Sequence, residues 1–107
     1  MSIRHWAELT VHDPGPARSL VVITEQDLEA GGSFTSVLDV TGREVSRTWH
    51  GGLGAARAWV EETYGGDNVG PWQEIPDGLI DPAAFAVRAV LGGRRPGRRR
   101  RGGGPRA

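Results

Sequence analysis

SFTSVLDVTGREVSRTWH, residues 33–50, reads as two strands joined by a turn. Thr41-Gly42 supplies the turn, because glycine accepts backbone angles that other residues avoid. A two-residue turn there sets the register: Leu38 opposite Val45, Ser36 opposite Arg47, Phe34 opposite Trp49. Residues directly opposite on antiparallel strands share a face. The large apolar side chains therefore sort to one side, which is expected to face the core with Arg47 among them. Thr35, Val37, Asp39, Glu44, Ser46 and Thr48 then form the open face, with Asp39 standing across from Glu44.

The segments before this hairpin extend the sheet. IRHWAELTVH (3–12) alternates, with Ile3, Ala7, Leu9 and Val11 on the side of His5, and Arg4, Trp6, Glu8, Thr10 and His12 on the other. Proline and glycine in DPGPA break the pattern into a turn. SLVVITE (19–25) is β-branched and apolar on both parities, as befits a central strand buried on both faces.

Beyond the hairpin the period changes. LGAARAWVEETYG (53–65) places Leu53, Ala56, Val60 and Tyr64 on one helical stripe flanked by Trp59, and Gly65-Gly66 ends it. An irregular stretch containing Trp72, read as a ring that seals the core, leads to Asp81-Pro82, an N-cap followed by proline at the first helical position. PAAFAVRAVL carries one charge, Arg88, so this short helix is expected to be buried against the body or a partner. The whole reads as an α+β domain over residues 1–91. It is a meander-like four-stranded antiparallel sheet with an amphipathic helix on one face and a second short apolar helix near the other face or an edge. Residues 92–107 lack the apolar residues that offset ordering entropy and read as a disordered basic tail.

The formal charge of zero conceals a separation. All 13 acidic residues precede Gly92, where six arginines oppose them, so the body carries −7. Arg94, Arg95, Arg98, Arg99, Arg100, Arg101 and Arg106 give the tail +7. Such asymmetry marks an interaction tail on a folded body, although a genome rich in arginine and glycine codons yields the same composition. Cysteine is absent, which excludes disulfides, thiolate metal sites and cysteine nucleophiles. No signal-peptide pattern and no apolar run near the ~18 residues of a membrane span is present, so a soluble cytoplasmic protein with no membrane association is expected.

Catalytic and cofactor motifs are not found. His5 and His12 fall on opposite faces of one strand, and His50 has no companion at ligand spacing, so no metal or other cofactor is expected. WHGGLG runs from a strand into a helix but lacks the GK[ST] ending of a phosphate loop. No carboxylate pair or serine context suggests an enzyme. Three strands and a helix in this order occur in small DNA readers, but an acidic body whose open face carries Asp39 and Glu44 opposes that use.

Three residues stand out as partner contacts. Arg47 sits among apolar neighbours, where it either stacks on an indole or marks a docking site. Trp49 is its neighbour on the same face. Trp6 has the parity opposite Ile3 and Leu9, which leaves it on an open face or beneath the second helix. Two functional classes fit. One is a small non-catalytic protein-interaction module, adaptor- or inhibitor-like, that meets a protein partner. The other is a nucleic-acid-associated accessory protein whose tail arginines hold DNA or RNA phosphates without reading sequence. The apolar second helix also leaves room for a homodimer.

Overall fold

The β-rich half of the chain forms because its strands can bury both parities. A computed structural model describes residues 2–12 and 15–93; the basic segment and its seven arginines lie outside the described residues. Strands β1 (Ser2–Val11), β2 (Arg18–Asp27), β3 (Ser33–Leu38) and β4 (Glu44–His50) follow in order, then α1 (Leu53–Tyr64), β5 (Gln73–Ile75) and α2 (Pro82–Gly93). The sheet is antiparallel throughout, in the spatial order β4-β3-β2-β1-β5. β2 is central, as its double-sided apolar run requires.

Five strands stand where the sequence suggested four. The additional strand, β5, is three residues long and pairs only with β1, placing Ile75 beside Arg4 and Glu74 beside His5. Pro71 and Pro76 flank it, so its strand character was masked by punctuation that normally ends strands.

One helix covers each face. Ala7, Leu9, Leu20, Val22 and Val37 are buried against Val60 of α1, with Trp59, Tyr64 and Trp72 packed around them. Trp6, Val21, Ile23, Leu38 and Ile75 are buried on the opposite face against Ala86, Val87 and Val90 of α2. Burying a valine or leucine side chain stabilises the fold by roughly 1.5–3 kcal/mol. The helix ends follow the sequence: Gly65 closes α1 at φ +89° while its N–H bonds to Glu61, and Asp81 accepts from the Ala84 N–H at 3.1 Å.

The hairpin departs from its expected turn. Asp39 and Arg43 bond across it, and the Gly42 N–H donates to the Asp39 carbonyl, both at 2.9 Å. The connection is thus a three-residue loop, Val40–Gly42, with Gly42 at φ +91°. A bulge follows, so Leu38 pairs with Glu44 and Val45 is the extra residue. Beyond it Ser36–Arg47 and Phe34–Trp49 pair as the sequence indicates.

The two faces of the hairpin are exchanged relative to the sequence expectation. Thr35 and Val37, expected in the open, are fully buried on the α1 face. Phe34, Val45 and Trp49, expected inside, are 41%, 55% and 60% exposed. Only Leu38 reaches the core beneath α2. The pairing pattern says which residues share a face, whereas the helices decide which face is covered. Val37→Ala is therefore expected to cost about 2 kcal/mol, and Val45→Ala less than about 0.5 kcal/mol, in urea denaturation; equal losses would contradict this assignment.

Candidate functional site

Phe34 and Ser36 on β3 face Trp49 and Arg47 on β4, on the margin of the sheet that α2 does not reach. The Arg47 guanidinium carbon lies 4.9 Å from the centre of the Phe34 ring, and its Nη1 is 3.7 Å from the Glu44 carboxylate. Arg47 thus stacks on a phenyl ring rather than on an indole. Trp49 lies over Gly32, where a Cβ would overlap the indole, so glycine is required for this ring position. Between this margin and the start of α2 runs a cleft of about 260 Å³, floored by Ile23 and Leu38 and bounded by Arg47 and Pro82. At its far wall Arg4 pairs with Glu25 at 3.2 Å.

The arrangement combines exposed aromatic rings, a cation held flat against one of them, and an adjacent cleft. Tryptophan and arginine in such settings dominate binding energy at protein interfaces. Arg47 and Trp49 are brought together here. Trp6 is not: its ring is buried under α2, and its edge lines a separate cavity of about 510 Å³ that Glu8, Gln73 and Arg88 also border. Phe34 and the bulged Val45 belong to the patch but were read as core, because alternation alone cannot tell a covered face from a bare one.

The opposite face holds a polar row that spans the sheet: Glu74, His5, Thr24, Thr35 and Thr48 are successive cross-strand neighbours. The hydroxyls of Thr24, Ser33 and Thr35 are buried with no hydrogen-bond partner among the described residues. His5 Nδ1 is in the same condition, as is Nε of Arg57, whose guanidinium lies 4.9 Å from the Trp72 ring. Burial holds the His5 pKa below the usual 6.5, Arg57 lowers it further and Glu74 opposes both. His12 is exposed, and His50 lies against Trp59 with Nε2 2.9 Å from the Thr48 hydroxyl. Among the described residues no three His, Asp or Glu side chains converge as a metal site, and no helix is long and apolar enough to cross a membrane.

Asp39 is not opposed to Glu44. Its carboxylate accepts from the Thr41 hydroxyl and from the N–H groups of Thr41 and Arg43. Chiefly the hydroxyl, with those N–H groups and the Arg43 charge, holds its pKa below the usual 3.8 against the opposing effect of burial. Asp39, read from the sequence as standing across from Glu44, is thus a turn brace.

No family model, curated protein or solved structure matches this chain. The site therefore stands on its own geometry.

His5 and Asp39 give the fold a pH dependence with a definite sign. The unfolded chain protonates His5 near 6.5 while the folded chain resists, so stability falls as pH drops below about 6.5. Asp39 contributes above about 3.8, and that contribution is lost as pH falls through its lower folded value. Urea denaturation at pH 7 and pH 5 is expected to show a smaller loss for His5→Gln than for the unaltered chain. Identical losses would mean that His5 titrates as freely folded as unfolded.

Proposed function

We propose that this chain is a small non-catalytic protein-interaction module, adaptor- or inhibitor-like, whose docking surface is the bare face of the β3–β4 hairpin. The observation that carries this reading is Trp49, 60% exposed beside Phe34 and Arg47 on a sheet margin that neither helix covers. Contiguous exposed apolar surface of this kind is characteristic of binding sites. The body around it is acidic by seven charges, which favours partners that tolerate or seek a negative surround. A cysteine-free chain needs no oxidising compartment, and we place the module in the cytoplasm.

A second reading rests on the +7 carried by Arg94 to Arg106. These arginines would hold generic DNA or RNA by phosphate attraction that weakens steeply with salt. That binding would be indifferent to Trp49→Ala, whereas docking through the hairpin would not.

A photo-crosslinking residue in place of Val45, and separately in place of Glu62 on the outer side of α1, tests the main reading in extract from the source cells. The expected result is one protein species captured from position 45, absent from position 62, and lost when Trp49→Ala is added. Capture that is equal from both positions, or none from position 45, would reject the hairpin as the docking surface.

A further inference from the structure

The two edges of the sheet are treated differently. β5 is three residues long and bracketed by Pro71 and Pro76, a combination that blocks further pairing. β4 is seven residues long and has neither proline nor lysine; its bulge at Val45 restricts only one end. We propose that β4 pairs antiparallel with β4 of a second copy of this chain, joining two five-stranded sheets into one. The inference rests on the reading of the hairpin as a docking surface and names its occupant.

The hydrogen-bond directions select the pairing. The Asp39 N–H bonds across to Arg43, so alternate residues of β3 counted from Asp39, namely Val37, Thr35 and Ser33, turn their backbone groups toward β4. The Asp27 N–H bonds to Gly32 at 2.9 Å, which independently sends Phe34, Ser36 and Leu38 toward β2. Thr48 and His50 are thus engaged by β3, and the N–H and C=O groups of Arg47 and Trp49 point outward from the edge. A second strand must set its own outward groups against these.

Three registers do so between the bulge and Gly51. Setting the two Arg47 side chains opposite each other brings like charges together. Setting the two Trp49 rings opposite each other leaves each guanidinium facing Gly51. The remaining register places Arg47 of each copy opposite Trp49 of the other, so that a cation meets an indole twice, and the two Thr48 residues meet on the two-fold axis. The edge is self-complementary in that register alone. Four backbone hydrogen bonds form and the exposed rings are covered. Each body carries −7, and the seven arginines after Gly93 bring the full chain to 13 basic and 13 acidic residues.

The chain has no cysteine, so a single introduced thiol reports the register cleanly. Opposed residues of a non-hydrogen-bonded pair bring their Cβ atoms to about 4.5–5.5 Å, close to disulfide reach. Thr48→Cys in the full chain is expected to give a covalent dimer rapidly on mild oxidation, and Ser46→Cys, which would face His50 of the second copy, only slowly. Sedimentation equilibrium of the unaltered chain is expected to show a species of twice 11.5 kDa at high concentration. Arg47→Glu is expected to raise the dissociation constant by roughly tenfold or more, with an unchanged circular dichroism spectrum because Arg47 is exposed. A monomer at every soluble concentration overturns the inference. So does a dimer that ignores Arg47→Glu and oxidises as readily through Ser46→Cys. A monomer whose position 45 captures a different protein overturns this inference and leaves the docking-surface reading standing.

Discussion

The architecture depends on the double-sided burial of β2. Leu20 and Val22 point to one face, Val21 and Ile23 to the other, and all four are buried. A strand with that pattern cannot sit in a sheet with one wet face, so each face needs a cover. The chain supplies α1 for the Val22 side and α2 for the Val21 side. The placement of every other element follows: β1 and β3 flank the buried strand, and the outermost positions fall to β4 and β5.

Geometry then fixes what stays bare. Five strands at ~4.8 Å spacing span roughly 19 Å between outer axes, whereas one helix is about 10 Å across. Each face thus has a margin beyond its helix. On the α1 side the β3–β4 margin is covered: Ser33 and Thr35 are fully buried, and Trp59 leans against His50. On the α2 side it carries Phe34, Arg47 and Trp49. A small chain with two 12-residue helices has nothing left among its described residues to cover that second margin. The functional reading is a consequence of this mismatch in widths.

Much of the fold was legible in the sequence because local signals agreed with the final packing. The glycine pair after Tyr64, the Asp81-Pro82 start and the two-parity apolar run of β2 each had one structural meaning. The hairpin pairs Ser36–Arg47 and Phe34–Trp49 were also legible, since alternation fixes which residues share a face. Which of the two faces would be covered was not. Thr35 and Thr48 look like solvent residues, yet threonine fits a strand well, and Thr35 is fully buried and Thr48 half-buried here. Phe34 and Trp49 look like core residues, yet they stand beyond the reach of α2. Asp39 misled for a different reason: one extra turn residue and a bulge moved Glu44 away and gave the carboxylate three donors. Trp6 had two readings, and its burial beneath α2 decides between them. β5 escaped because three residues between prolines carry no period at all.

The central claim is that β4 leaves both a face and an edge open. Residue-resolved amide hydrogen exchange on the full chain in dilute solution tests it most directly. The account predicts slow exchange at Thr48 and His50, whose amides are held by β3, and fast exchange at Arg47 and Trp49 between and beside them. Slow exchange at Arg47 and Trp49 in dilute solution would mean that another part of the same chain covers the edge, and would contradict the account.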